Sequence, residues 1–406
     1  MMRFSKRDFL RSVAGIGALS AFRPAFASPT GFWEDIRAAY GVTDSFIQLE
    51  NGYYSLASNE VLERYLRHIQ DINKVSSYYM RTRQADDKLA SRTAVAELLG
   101  CGPEELIITR NTTESLDTII SGIDWKAGDE AIMAGQDYGA MLDMFRLMSR
   151  RHGIVNKVLS IPNQGISDDE LVRLYESAIT PKTRLLMGCH LINITGRIMP
   201  VRQITEMAHR HGVEVLVDGA HAFAHLDFRI ADLGGCDYYG SSLHKWLGTP
   251  LGAGLLYVRK DKIRGIWPLF GDSSFADDDI RKLNHTGTHP VATDLAIQNA
   301  IAFHRKIGSK RKEERLRYLQ QYWTDAVRDL PKIVLNTPKD RSCAIANVGI
   351  QGMAPADLAK ILFQKYRIFT VAIADAGVMG VRVTPHVYTT TAELDQFVAA
   401  FRVLAS

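Results

Sequence analysis

The stretch Val213-Glu214-Val215-Leu216-Val217-Asp218-Gly219-Ala220-His221 decides the fold. Its first five residues are almost wholly apolar, which suits a strand buried on both faces. An aspartate ends the run and a glycine follows. A carboxylate at the end of a buried strand is costly unless a cation meets it. The same texture recurs on either side. Residues 105–109 (ELIIT), 130–133, 154–161, 184–189, 238–241 and 254–258 read as further short strands. Residues 112–121, 139–151, 168–178 and 201–211 read as helices between them. Such alternation predicts an α/β fold with a mostly parallel sheet between layers of helices.

Further along, the texture changes. Residues 296–328 read as helical and are rich in Lys and Arg. Then come a strand at 343–350, a helix at 355–363, strands at 368–371 and 381–384, and a helix at 392–404. This predicts a smaller α+β C-terminal domain over 296–406. The large domain is then 59–295, and residues 28–58 form a segment packing back on the site.

The chain has 406 residues, 46% hydrophobic and 23% charged, an ordinary globular composition. Its net charge of +4 resides in residues 1–27, where Arg3, Lys6, Arg7, Arg11 and Arg23 face only Asp8. The remainder carries 44 basic and 44 acidic residues. A neutral body has no electrostatic footprint for nucleic acid or an anionic membrane. No apolar stretch reaches the ~20 residues of a membrane-spanning helix. Ser5-Lys6-Arg7-Asp8-Phe9-Leu10, an apolar run over 13–22 and Ala25-Phe26-Ala27 follow the order of an export signal with a small-x-small cleavage site. The opening resembles a twin-arginine signal with Lys6 in place of the first arginine. It implies a periplasmic or secreted protein with no membrane attachment after cleavage, and a cytoplasmic one if the signal does not function. The other reading is an amphipathic N-terminal helix. Cys101, Cys189, Cys236 and Cys343 are spaced like neither a zinc site nor a redox pair and read as free, apolar-packed thiols.

Ligands of open parallel sheets bind beyond the carboxyl ends of the strands. Three motifs fall there. Thr109-Arg110-Asn111-Thr112-Thr113-Glu114 is a helix start whose free N–H groups suit a phosphate, although most such starts are only caps. Asp218-Gly219-Ala220-His221 suits a protonated pyridine nitrogen, a helix cap or a metal. Ser241-Ser242-Leu243-His244-Lys245-Trp246, followed by the glycine-rich 248–254, offers a lysine that is either solvated or buried and able to form a Schiff base. A dinucleotide site is disfavoured because the first strand–helix junction lacks G-x-G-x-x-G. His221, His225 and Asp227 match no standard metal spacing, so no metal is expected, and His225 reads as facing solvent or a helix.

Asp-Gly-Ala-His, the 27 positions from Asp218 to Lys245, Ser-x-His-Lys and the glycine-rich turn together resemble the class V aminotransferase family of fold-type I pyridoxal 5'-phosphate (PLP) enzymes, over about 51–388. That family includes cysteine desulfurases and isopenicillin N epimerase-like proteins. The resemblance implies PLP on Lys245 and Asp218 paired with the pyridine nitrogen. It implies Thr112, Thr113, Ser242 and His244 at the phosphate, and Thr288 reaching the phosphate of a neighbouring subunit in a homodimer. Tyr138 would stack on the ring, while Asn193 and His221 would lie near its hydroxyl. Arg382, with Asn51 nearby, would bind the carboxylate of an amino-acid-like small molecule. Val381 and Val383 flank Arg382, a pattern compatible with that role or with an arginine on a strand surface.

Lys245 is then the natural base at Cα. Transamination is the expected outcome, with epimerisation or C–S/β-elimination as alternatives. A desulfurase needs a thiol on the loop before Arg382. Residues 367–381 contain none, and Cys343 lies 39 positions upstream. A non-catalytic binding protein on the same fold is the rival reading. It would be expected to lose Lys245 or Asp218, and both are present.

Overall fold

The computed structural model describes residues 31–406; the expected export signal lies outside them. The described chain opens with α1 (Phe32–Ala38), β1 (Ile47–Gln48), α2 (Asn59–Val75), α3 (Ser77–Thr82) and α4 (Gln84–Leu99). The alternating part runs β2 (Leu106–Thr109), α5 (Thr112–Gly122), β3 (Glu130–Ala134), α6 (Gly139–His152), β4 (Val155–Leu159), α7 (Asp168–Ser177) and β5 (Thr183–Cys189). It continues through α8 (Val201–Arg210), β6 (Glu214–Asp218), β7 (Tyr238–Ser242) and β8 (Gly254–Val258). The last part holds α9 (Val291–Ile307), α10 (Ser309–Val327), β9 (Ile333–Leu335), β10 (Ala346–Ile350), α11 (Pro355–Tyr366), β11 (Ile368–Phe369), β12 (Val371–Asp375), β13 (Val378–Val383) and α12 (Thr391–Ala405).

Seven strands form one sheet in the order β2-β8-β7-β6-β5-β3-β4. Strand β8 runs antiparallel to both neighbours, and the other pairs are parallel. Val215 and Val217 enter the core on one face, and Leu216 enters that on the other. Burial on both faces explains why β6 reads as an unbroken apolar run rather than an alternating one. Each such buried aliphatic side chain contributes roughly 1.5–3 kcal/mol. At the edge, β4 exposes Val155 and Val158 and is shorter than its apolar run suggested. Register sets Cys189 opposite Asp218, and Asp218 opposite Gly240. The carboxyl ends of β5, β6 and β7 therefore open side by side.

The second sheet, β12-β13-β10-β9, is antiparallel, with Arg382 between Asn347 and Val371. A third pair, β1 with β11, ties the N-terminal segment to the C-terminal part, and Glu50 bridges Thr384. Two sequence expectations change. The single helical run over 296–328 is two helices, because Gly308 at φ +88° breaks it. The first of these, α9, begins at Val291 and packs against α2 and α4, so it runs across residue 295. Helices α2 and α4, in a stretch where the sequence reading placed no element, supply that packing surface.

Candidate active site

Helix α5 begins where β2 ends. Asn111 accepts the Glu114 N–H through its side chain at 3.0 Å. The capping box stays half-formed, since the Glu114 carboxylate turns to the N–H of Arg110 at 2.6 Å. A Cβ on Gly254 would stand 2.7 Å from the Asn111 backbone, so glycine lets β8 press against this helix start. Across the junction, Ser242 at the end of β7 accepts the Thr112 N–H at 2.9 Å and shares a proton with its hydroxyl at 2.6 Å. The hydroxyls of Thr112, Thr113 and Ser242 thus face one cavity of about 340 Å³ at the N-terminus of α5.

Thr112, Thr113, Tyr138, Asn193, Asp218, His221, Ser242, His244, Lys245 and Arg382 all line that cavity. Asn51 does not. It is fully buried, donates to the Thr384 carbonyl at 2.8 Å and accepts the Tyr388 hydroxyl at 2.7 Å. Its role in this structure is to pin the N-terminal segment beside the site. Thr288 lies elsewhere in the chain, in a second cleft of about 800 Å³ with Arg92, Arg281 and His289. Cys101, Cys189, Cys236 and Cys343 are all free thiols. His225 faces no solvent: it is 1% exposed and stacks on Trp246 with ring centroids 3.7 Å apart. Its Nδ1 bonds the His221 carbonyl at 2.7 Å.

The Lys245 amine lies 3.3 Å from His221 Nε2. Burial lowers its pKa from 10.5 to about 8, with Asp218 opposing that change and Arg382 adding to it. Asp218 itself is pushed upward by burial, against the Ala220 N–H and Lys245. Its Oδ1 accepts the Ala220 N–H at 2.9 Å, and among the described residues no hydrogen bond engages Oδ2. Burial, then the charges of Lys245 and Arg382, hold His221 far below the ordinary histidine range and so neutral. His244 falls to about 4, again chiefly through burial, and its buried Nδ1 has no partner. Tyr138 is 46% exposed, so one face of its ring is available.

Arg382 is buried, which removes the surface reading of that arginine. Glu50 grips it through two bonds, to Nε at 3.1 Å and to Nη2 at 2.6 Å. Glu50 also accepts the Tyr53 N–H at 2.9 Å and stands behind the guanidinium, outside the cavity lining. Nη1 is 3.4 Å from the Asn193 carbonyl. Sequence reasoning missed Glu50, because its partner is 332 residues away. It also gave no role to Trp246, or to Cys189, which lines the cavity with a thiol that burial pushes well above its ordinary pKa.

The donor set fits a phosphorylated pyridine aldehyde. The α5 start with Ser242 and the orphaned His244 Nδ1 suits its phosphate, Asp218 Oδ2 its ring nitrogen, and the Lys245 amine its carbonyl.

Comparison with known proteins agrees. The family model "Aminotransferase class-V" matches residues 55–397. The isopenicillin N epimerase of Amycolatopsis lactamdurans is 29% identical over 337 residues, covering 78% of this chain and 84% of that one. A probable cysteine desulfurase of Halalkalibacterium halodurans is 27% identical over 320 residues, 76% of this chain and 77% of its own. In structure, a C-DES variant with glycine covalently linked to its PLP cofactor superimposes at a TM-score of 0.81, with 21% identity, over 90% of this chain and 98% of that one. The chain belongs to the class V aminotransferase family of PLP-dependent, fold-type I enzymes.

Proposed function

We propose that this enzyme removes the α-proton of an amino-acid-like substrate and works as an aminotransferase. One observation carries the reading: a lysine amine with its pKa lowered to about 8 shares one cavity with a buried carboxylate and a buried arginine. Bound PLP supplies the electron sink for the pair left at Cα. Asp218 holds the negative charge that keeps a ring nitrogen protonated. Thr112, Thr113, Ser242, His244 and the α5 terminus bind the phosphate, and Tyr138 covers the ring. Arg382, held from behind by Glu50, presents its Nη1 edge to a substrate carboxylate. Lys245, whose amine sheds its proton around pH 8 rather than 10.5, takes the α-proton and returns it.

Epimerisation is the second reading, supported by likeness to an isopenicillin N epimerase. Desulfuration through an enzyme persulfide has little support. Cys343 is 0% exposed, and the Cys189 thiol is held protonated by burial. C–S elimination needs no thiol and stays within the same machinery.

The test incubates PLP-loaded protein with L- and D-amino acids in D2O. Transamination releases a keto acid in step with cofactor amination, epimerisation gives the deuterated mirror form, and elimination gives pyruvate. No deuterium at Cα in any substrate, with Lys245→Ala indistinguishable from the parent, refutes the reading.

Two further proposals concern the whole protein. The N-terminal segment directs export, tested by N-terminal sequencing of the secreted product. The Thr288 segment completes a partner's phosphate site in a homodimer, tested by mass in solution and by Thr288→Ala.

A further inference from the structure

The Lys245 amine lies within hydrogen-bonding reach of His221 Nε2, and the identity of the nitrogen that carries the His221 proton decides what the lysine meets. The ring has two nitrogens, with Nε2 3.3 Å from the Lys245 amine and Nδ1 3.3 Å from Trp246 Nε1. An indole N–H can only donate. A proton on Nδ1 would therefore point at another proton in a buried place, where an unmet donor costs roughly 1–3 kcal/mol. Trp246 cannot turn aside. It is fully buried, stacked on His225 at 3.7 Å and on His386 at 5.5 Å between ring centroids. His225 is fixed in turn, because its Nδ1 bonds a carbonyl, which can only accept, while its Nε2 accepts the Ala344 N–H at 3.0 Å.

We propose that Trp246 is a positioning residue that sets the tautomer of His221, leaving Nδ1 bare and placing the ring proton on Nε2, toward Lys245. The consequence for the lysine is direct. An Nε2–H can donate to the lone pair of a neutral amine. A bare Nε2 would instead accept from the ammonium and stabilise the charged form. Trp246 thus favours the uncharged amine from one residue away, through a ring it never leaves. The same Nε2–H is the donor that a phenolic oxygen on a bound cofactor would find. This deepens the proposed function at the same site and takes from it only the use of Lys245 as an amine. The decisive measurement needs neither cofactor nor turnover, so its failure would leave the proposed reaction standing.

The experiment is nitrogen NMR of the cofactor-free protein with ring-labelled histidine above pH 8, where the Lys245 amine is mostly uncharged and does not itself donate to Nε2, His221→Gln serving to identify the His221 signals. The parent should show His221 neutral, with Nε2 protonated over Nδ1 by about ten to one, the preference a hydrogen bond worth ~1.4 kcal/mol sustains. Trp246→Phe keeps an aromatic ring in the stack but has no N–H. It should bring the two tautomers within a factor of about three of each other, while circular dichroism stays that of the parent. A parent spectrum with Nδ1 protonated overturns the proposal without any variant. So does an unchanged ten-to-one ratio in a folded Trp246→Phe protein. Should that variant not fold, the parent spectrum decides alone.

Discussion

The Glu50–Arg382 pair permits a quantitative test of how the substrate arginine is held. Both side chains are nearly inaccessible, at 6% and 8% exposure, and two bonds of 3.1 and 2.6 Å join them. Glu50→Ala removes the carboxylate and leaves a buried guanidinium with only the Asn193 carbonyl, 3.4 Å from Nη1. Removing one partner of a buried pair costs about 3–5 kcal/mol, most of it the burden of the stranded charge. Arg382→Ala strands Glu50 in the same way, eased by the Tyr53 N–H at 2.9 Å, so a cost nearer 3 kcal/mol is expected. The double variant strands neither charge. It should therefore be more stable than the sum of the single losses implies, by about 2 kcal/mol. The assay is urea unfolding of the cofactor-free proteins at pH 7, with midpoints and slopes fitted for all four. Single losses under about 1 kcal/mol, with a coupling under about 0.5 kcal/mol, would refute the reasoning. They would mean that water already reaches the guanidinium and that Glu50 does not hold it.

Three other outcomes follow from the structure. Lys245 has a folded pKa of about 8 against 10.5 unfolded, so below pH 8 both states are charged and the folded state bears the full burial cost; between 8 and 10.5 only the unfolded state keeps its proton and stability rises with pH. Cofactor-free Lys245→Met should accordingly unfold about 2–3 kcal/mol later than the parent at pH 7, an advantage that shrinks as denaturation is repeated from pH 8 to pH 10.5. Gly196 sits at φ +77° with its absent Cβ 1.9 Å from the Ile345 carbonyl, so Gly196→Ala should lose about 3 kcal/mol or more. Gly128→Ala, at φ +88° with nothing within 4 Å, should lose only about 1 kcal/mol when both variants are compared by urea unfolding, and equal losses would contradict this reading. Asp218→Asn should bind PLP yet lose on the order of 10²-fold or more in turnover, checked by product release from whichever substrate the D2O assay identifies.

Much of the sheet was legible because its strands are short, apolar and buried on both faces. That pattern survives without knowledge of their neighbours, as β6 and β8 illustrate. Helices α2 to α4 were not read, although Leu62, Leu66 and Ile69 recur at helical spacing; they lie exposed on α2, so that stripe does not mark the face on which the helix packs. The break at Gly308 was hidden because glycine within a helical pattern is tolerated as often as it stops one. Asn51 was read toward the substrate from its place in a motif, whereas its carboxamide is spent on Thr384 and Tyr388.

What the sequence alone determined was the set of groups that chemistry requires at the ends of adjacent strands: Asp218, the lysine 27 positions later and the hydroxyls at the α5 start. These lie on neighbouring segments of one alternating pattern, so local periodicity suffices to bring them together. Tertiary structure alone decided the state in which they work. Burial makes His221 neutral and Lys245 half-willing to lose its proton, Glu50 reaches Arg382 across 332 residues, and Trp246 is wedged where its N–H meets one imidazole nitrogen. Such effects depend on dielectric surroundings and on contacts between distant segments, and neither has a spacing that can be read along a chain.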